Sequence, residues 1–202
     1  MFSQPTPAEL DPVPHYKRAL ALTREKHYQE ALAELSKALE LNPSYFEAKY
    51  QTALVYQVTG RQRDAIRRYE ELIEVQPQHF QAHINLGSLL RSEHDFQGAE
   101  AHFRKAIDLH FYSLEAHYDL ANLLVDQGRL EDSLKEYKIC LKLAPDNAMV
   151  HNNVGVIYQK RQYLEEAEEE FLRAMNLEPA NQLFQQNYEL VRQQLKKKAV
   201  GA

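Results

Sequence analysis

Small and large apolar side chains alternate with polar ones at helical spacing, and the pattern restarts every 34 residues. Pro43 and Pro77 are 34 residues apart, as are Pro145 and Pro179, and Phe111 occupies the position where this series predicts another proline. The series divides most of the chain into five equal repeats: 12–45, 46–79, 80–113, 114–147 and 148–181. A period of this length is typical of repeat arrays, in which each repeat is one small structural unit.

Positions that were not used to define the repeats keep one size class throughout. Place 8 of each repeat is small: Ala19, Ala53, Gly87, Ala121 and Gly155. Place 20 is also small: Ala31, Ala65, Ala99, Ser133 and Ala167. Place 24 is large and apolar: Leu35, Tyr69, Phe103, Tyr137 and Phe171. Because small residues let two helices approach while a large one fills the space beside them, we predict a pair of antiparallel helices in each repeat, at about places 1–14 and 18–31.

Glycine and proline mark the ends of these helices. Gly60 and Gly128 lie where the first helix of a repeat must end, and the prolines follow the second helix, which they cannot continue. One such pair cannot bury its apolar face alone. We therefore expect neighbouring pairs to stack into an all-α solenoid.

The repeat resembles the tetratricopeptide repeat (TPR), which has small residues at places 8 and 20, an aromatic residue at 24 and proline at 32. The resemblance extends over residues 12–181 and implies a right-handed α-solenoid of antiparallel helix pairs, the TPR superhelix. The chain departs from the family at Phe111, and also at place 4, where the family often has Trp. Place 4 holds His15, Lys49, His83, His117 and His151.

The two ends of the chain differ from the repeats. Residues 1–11 are rich in proline, and we expect them to form a flexible N-terminal arm. After the fifth repeat, Phe184, Tyr188, Val191 and Leu195 form one apolar helical stripe, which predicts a capping helix over 182–198 followed by a tail at 199–202. The run Lys196–Lys198 suits a helix C-terminus.

Composition excludes several classes of protein. The 202 residues carry a formal net charge of −5, so a general binder of nucleic-acid phosphates is not expected. The single cysteine cannot form an internal disulfide, no apolar run is long enough to span a bilayer, and the N-terminus does not resemble a signal peptide. These features predict a cytoplasmic protein without membrane insertion.

The resemblance implies that places 2, 5, 6, 9, 12 and 13 of each first helix line a concave inner surface that holds extended peptides; we call these places the inner face. Its charges balance: Lys17, Arg24, Arg91 and Lys160 against Glu47, Glu115, Asp119 and Asp126. Asparagine suits peptide backbone because it offers both a donor and an acceptor. The predicted peptide-binding residues are Asn85, Asn122, Asn152, Asn153, Tyr118, Asp119, Tyr50, Gln51, Ser88, Arg91 and Lys160.

Catalytic and metal chemistry are not expected. Copies of His83, His117 and His151 would point in parallel along stacked repeats instead of converging on one ion, so we interpret them as packing residues in place of the family's Trp. His79 and His83 have a ligand spacing, but the sequence fixes no third ligand beside them. Cys140 occupies a place that is small or apolar in other repeats, which favours packing over a nucleophilic role. No phosphate loop or catalytic constellation is present, so we predict neither an enzyme nor a cofactor.

These observations predict an adaptor that holds an extended segment of a partner protein on the inner face. Chaperone C-terminal tails are not expected partners, because the family's carboxylate-binding residues are missing and Asp119 would repel a carboxylate. Two alternatives remain: a scaffold that self-assembles by placing its N-terminal arm on another copy, and a regulatory or substrate-docking subunit of a separate enzyme.

Overall fold

The computed structural model describes residues 11–200, and all the regular structure in this range is helical. The helices are α1 (Val13–Arg24), α2 (Tyr28–Leu41), α3 (Phe46–Val58), α4 (Gln62–Val75), α5 (Phe80–Ser92), α6 (Phe96–Leu109), α7 (Leu114–Asp126), α8 (Leu130–Leu143), α9 (Ala148–Lys160), α10 (Leu164–Leu177) and α11 (Gln182–Val200). None of them combines the length and apolarity needed to cross a membrane. The predicted N-terminal arm lies outside the described residues except for Asp11.

Consecutive helices pack as pairs, one pair in each repeat, which confirms the predicted all-α architecture. The chain divides into two compact units, Met1–Leu109 and His110–Ala202, called here the N-terminal half and the C-terminal half. Within each half the second helix of a repeat also packs against the first helix of the next. Buried clusters therefore continue from repeat to repeat, as where Tyr69 and Leu72 meet Ala82 and Leu86.

The constant size classes have a direct packing cause. A Cβ atom added to Gly87 would lie 2.7 Å from Cε1 of Phe103, and one added to Gly155 would lie 2.8 Å from the Phe171 ring. Both phenylalanine rings are fully buried. Place 8 is thus glycine in the two repeats that put phenylalanine at place 24, because the ring occupies the volume of the missing methyl group.

Each turn inside a repeat is built in the same way. Place 15 has a positive φ in all five repeats: Lys26 (64°), Gly60 (75°), His94 (63°), Gly128 (74°) and Gln162 (63°). In each turn the N–H of the following residue donates to a carbonyl five residues before it, as from His27 to Leu22 at 2.8 Å. This is the Schellman ending of a helix, which prefers glycine at the positive-φ position.

The last helix continues the repeat register as the first helix of an incomplete sixth pair. The side-chain amide of Asn187, at place 6, donates to Oδ1 of Asn152 at 2.7 Å. At places 8 and 11, where the complete repeats have small and apolar residues, α11 carries Glu189 and Arg192, both exposed. The helix starts where the sequence predicts and extends beyond Lys198 to Val200.

Candidate functional site

In the N-terminal half, an asparagine of the third repeat forms hydrogen bonds with two tyrosines of the second repeat. Nδ2 of Asn85 donates to the hydroxyl oxygens of Tyr50 at 3.0 Å and Tyr69 at 3.1 Å. The Tyr69 hydroxyl donates in turn to Oε1 of Gln57 at 2.8 Å. Burial raises the pKa of Tyr69, so its hydroxyl stays protonated and able to donate. The ring of Tyr50 is consequently held in one orientation.

The C-terminal half repeats this arrangement at equivalent places. Nδ2 of Asn153 donates to the hydroxyl oxygens of Tyr118 at 3.2 Å and Tyr137 at 3.0 Å. The Tyr137 hydroxyl donates to Oδ1 of Asn122. Each cluster combines tyrosines at places 5 and 24 of one repeat with asparagine at place 6 of the next. The structure therefore brings Asn122, Asn153 and Tyr118 together, and separately brings Asn85 and Tyr50 together.

Asn152 differs from the other predicted asparagines. Its side chain is 4% exposed and accepts a hydrogen bond from Asn187 of α11. Ile84, also at place 5, is equally buried. Place 5 thus does not face solvent in every repeat; at Asn152 the side chain meets α11, the helix that follows its repeat.

The remaining predicted residues are distributed over both halves. In the N-terminal half, the side chains of Gln51, Ser88 and Arg91 are partly buried. In the C-terminal half, Asp119 is partly buried and Lys160 is exposed. Gln51, Asp119 and Lys160 lie on α3, α7 and α9, the first helices of their repeats.

The structure also shows a small apolar pocket that the sequence did not single out. It lies at the N-terminal ends of α7 and α9, has a volume of about 320 Å³ and is lined by Leu114, Glu115, Tyr118, Asn147 and Met149. Met149 is 41% exposed, although it is a large apolar side chain. Glu115, Tyr118 and Met149 all occupy inner-face places in the sequence, but nothing in the sequence predicted that they enclose a pocket.

At place 4, His83, His117 and His151 are buried, and their ring nitrogens form hydrogen bonds within the repeat. Nε2 of His117 lies 2.8 Å from the carbonyl oxygen of Phe111, and Nδ1 lies 2.7 Å from Oε2 of Glu136. Two such acceptors require an N–H on both ring nitrogens or a proton on the carboxyl group. Burial alone would lower the pKa of His117, but the hydrogen bonds to Glu136 and Phe111 outweigh it and raise this pKa. His117 thus links α7 to α8 and to the turn that precedes α7.

The equivalent contact in the third repeat joins two histidines. Nδ1 of His83 lies 3.0 Å from Nδ1 of His102, while Nε2 of His83 lies 3.0 Å from the carbonyl oxygen of Pro77. Burial lowers the pKa of both imidazoles, which favours a neutral pair sharing one N–H···N bond. Within residues 11–200, no group of three or more His, Cys, Asp or Glu side chains is arranged to hold a metal ion.

Cys140 is a packing residue, as its place in the repeat predicts. The thiol is buried, and its sulfur lies 3.8 Å from the carbonyl oxygen of Leu114. Burial raises the pKa of Cys140 to about 12, so the nucleophilic thiolate is scarce at neutral pH.

Several solved structures share this fold. YrrB, described as a TPR protein with an unusual peptide-binding site, is 24% identical over 89% of this chain and 93% of its own, with a TM-score of 0.76. MamA from Desulfovibrio magneticus RS-1 is 19% identical over 84% of this chain and 96% of its own, with a TM-score of 0.78. TTC0263 from Thermus thermophilus, a thermophilic TPR protein, is 17% identical over 89% and 98% of the two chains, with a TM-score of 0.64. Comparison with curated protein sequences gave no match.

Family models of the tetratricopeptide repeat match four stretches of the sequence: residues 12–45, 50–110, 121–162 and 150–181. Together these stretches cover well over half of the chain. Every repeat within them contains the predicted pair of helices. The protein therefore belongs to the tetratricopeptide repeat family.

Proposed function

We propose that this protein is a non-enzymatic interaction scaffold that holds an extended segment of a partner protein on its inner face. The observation that carries the proposal is the pair of equivalent tyrosine–asparagine clusters, one in each half. Both fix the ring of a half-buried place-5 tyrosine, Tyr50 or Tyr118, by hydrogen bonds to its hydroxyl. Rigid aromatic surface of this kind contributes strongly to recognition, since little side-chain entropy is lost on binding.

The inner face also carries exposed side chains. Val58 and Lys160 both occupy place 13 of the inner face, and both are exposed. A face that carries apolar, charged and aromatic side chains is suited to a polypeptide ligand, which presents apolar, charged and backbone groups in close succession. YrrB, a protein of the same fold, is described as having a peptide-binding site, which supports a polypeptide as the class of ligand.

The asparagines contribute chiefly by building the surface. Because the amides of Asn85 and Asn153 hold tyrosine hydroxyls, replacing them would disturb the packing of neighbouring repeats together with any binding. A test of the inner face therefore needs exposed residues that make no such contact.

The test selects decapeptides from a randomised display library on the immobilised full-length protein and measures their affinity for two matched double variants. The inner-face variant, Val58→Asp with Lys160→Glu, changes two exposed side chains at place 13. The control, Leu172→Asp with Lys138→Glu, makes the same chemical changes at place 25 of the second helices. We expect the inner-face variant to lose binding by about tenfold or more and the control to bind as wild type. Equal binding by both variants, or the absence of any selected peptide, would contradict the proposal.

A further inference from the structure

The first helix of the third repeat, α5, has a histidine as its N-cap residue. Nδ1 of His79 accepts a hydrogen bond from the backbone N–H of Ala82 at 3.1 Å. The same N–H also approaches the carbonyl oxygen of His79 at 3.1 Å. In the C-terminal half the equivalent caps are Ser113 and Asn147, whose side-chain oxygens accept in the same way. Of these three caps, the one on α5 can gain a proton near neutral pH.

The imidazole of His79 also lies over the ring of Tyr50, a residue of the inner face. The ring centroids are 4.7 Å apart, and the ring planes are inclined by 32°. The hydroxyl of Tyr50 accepts from Asn85, which follows His79 by six residues on the same helix. Asn85 therefore holds the tip of the tyrosine ring, and His79 holds its face.

Protonation of His79 is incompatible with its capping contact. A neutral imidazole with its hydrogen on Nε2 has a lone pair on Nδ1, whereas an imidazolium carries N–H on both nitrogens. Two N–H groups would then face each other across 3.1 Å, with a positive charge at the helix end that disfavours cations. Flipping the ring about its Cβ–Cγ bond would put a C–H group against the same N–H. Relief therefore requires the ring to leave its plane, and with it the face of Tyr50.

The surroundings of His79 favour the neutral form. Burial is the largest influence and lowers the pKa of His79 below the ordinary 6.5, and His83 on the same helix acts in the same direction. A backbone hydrogen bond and the charge of Glu47 on α3 oppose this shift, and the Tyr50 ring also attracts a cation. The preceding turn, 76–78, contributes no titratable side chain. The capping form of His79 therefore prevails at neutral pH.

From this geometry we infer that His79 is a proton-operated switch for the inner face of the N-terminal half. The neutral ring caps α5 and holds Tyr50, whereas acidification releases both contacts and loosens the aromatic surface that a bound segment meets. The inference rests on the proposed function and adds its regulation. Because Ser113 and Asn147 do not titrate in this range, the surface around Tyr118 should keep its affinity.

Nuclear magnetic resonance of the isotope-labelled full-length protein tests the switch without any ligand. At pH 7.5 we expect His79 to carry its hydrogen on Nε2. As the pH falls, over the range in which circular dichroism shows a folded protein, the Ala82 amide and the Tyr50 ring should shift with the same midpoint as His79. His79→Asn keeps an accepting cap that does not titrate, so both responses should disappear at that midpoint. A hydrogen on Nδ1, or an Ala82 amide that ignores the titration, would overturn the inference.

The effect on binding is measured with decapeptides that lack histidine and are selected by display at pH 7.5. Peptides weakened by Val58→Asp engage the N-terminal half, and peptides weakened only by Lys160→Glu engage the C-terminal half. One pH unit below the His79 midpoint about a tenth of the protein keeps the neutral ring, so a site that needs this form should bind about tenfold more weakly. We expect this loss for the first group in wild type and not in His79→Asn. The second group is the matched control and should bind as at pH 7.5.

The outcomes separate this inference from the proposed function. Equal acid sensitivity of wild type and His79→Asn, or of both groups of peptides, would overturn the regulatory role of His79 and leave the inner face as the binding site. An absence of peptides that depend on Val58 would also overturn it, because the N-terminal half would then bind nothing that His79 controls. If no peptide is selected at all, the proposed function fails and the regulatory role fails with it, even where the Ala82 amide follows His79.

Discussion

Lys26 and Gln162 adopt a backbone conformation in the repeat turns that is unfavourable for residues with a side chain. Both have φ above 60° at place 15, where the second and fourth repeats have glycine. An L-residue with a side chain is strained in this region, whereas glycine enters it at no steric cost. Both side chains are exposed, so little packing is lost when they are removed.

We therefore expect Lys26→Gly and Gln162→Gly each to stabilise the protein, by about 0.5–1 kcal/mol after the greater chain entropy of glycine is subtracted. Thermal melting followed by circular dichroism measures the change. Gly128→Ala is the matched control and should lower the melting temperature. A decrease in melting temperature for both glycine variants would show that the turn is not strained.

At Gly87, in contrast, the glycine is required because a larger residue does not fit. Alanine at this position would place its Cβ 2.7 Å from the buried ring of Phe103. Overpacking of this kind costs about 1–3 kcal/mol, which exceeds the gain of at most about 1 kcal/mol in helix propensity. We expect Gly87→Ala to lower the melting temperature and the added change Phe103→Leu to restore part of the loss. Full stability of Gly87→Ala would contradict this account of the size classes.

At the scale of helix pairs, the histidine contacts of the third and fourth repeats make the stability of the protein depend on pH in opposite directions. In the third repeat, burial holds the pKa values of His83 and His102 below the ordinary 6.5. The charge of Lys105 also lowers the pKa of His83, and that of Asp95 opposes the shift of His102. Since the unfolded chain then binds more protons, the stability from this pair is complete above pH 6.5 and falls as the pH decreases from there.

We expect His102→Gln to reduce this acid sensitivity, because an amide can donate to His83 without titrating and only His83 then remains to be protonated. Melting temperatures of wild type and variant between pH 7.5 and 5 measure the effect, and wild type should lose more over this range. Parallel curves would contradict the neutral histidine pair.

In the fourth repeat the sign is reversed. The raised pKa of His117 means that its contribution is complete below pH 6.5 and is lost as the pH rises through the folded-state value. We expect Glu136→Gln to destabilise the protein more at pH 6 than at pH 8, as measured by thermal melting at both values. A loss independent of pH would show that His117 and Glu136 do not interact as an ion pair.

The same elements show which parts of the site the sequence could predict. Regular size classes at places 8, 20 and 24 identified the helix pairs, because packing between two helices of one repeat obeys local spacing. The hydrogen bond between Asn85 and Tyr50 joins residues 35 apart, and its geometry depends on how one repeat rests on the next. For the same reason the burial of Asn152 against α11 could not be predicted from a helical wheel.

At the scale of the whole molecule, the boundary between the two halves coincides with the one repeat ending that lacks proline. Phe111 and Tyr112 follow Leu109 and are 55% and 73% exposed. Exposed aromatic residues in a turn are suitable sites for chymotrypsin.

We expect the first chymotrypsin cut within residues 11–200 to occur after Phe111 or Tyr112, and the double variant Phe111→Pro with Tyr112→Ser to remove that cut. Mass spectrometry of the fragments identifies the site; an earlier cut elsewhere would contradict the prediction.

The two faces of α11 differ in what they allow to pack against them. Its inner face follows the register of the repeats, with Asn187 bonded to the preceding one, while its opposite face carries charge at places 8 and 11. A further second helix cannot pack closely against Glu189 and Arg192. Exchanging these two residues for alanine and leucine, and appending a copy of α10 with its turn, would turn the terminal helix into a complete repeat. Two side chains of α11 thus decide whether a second helix can pack on it, and adding a repeat requires no change to the five repeats already present.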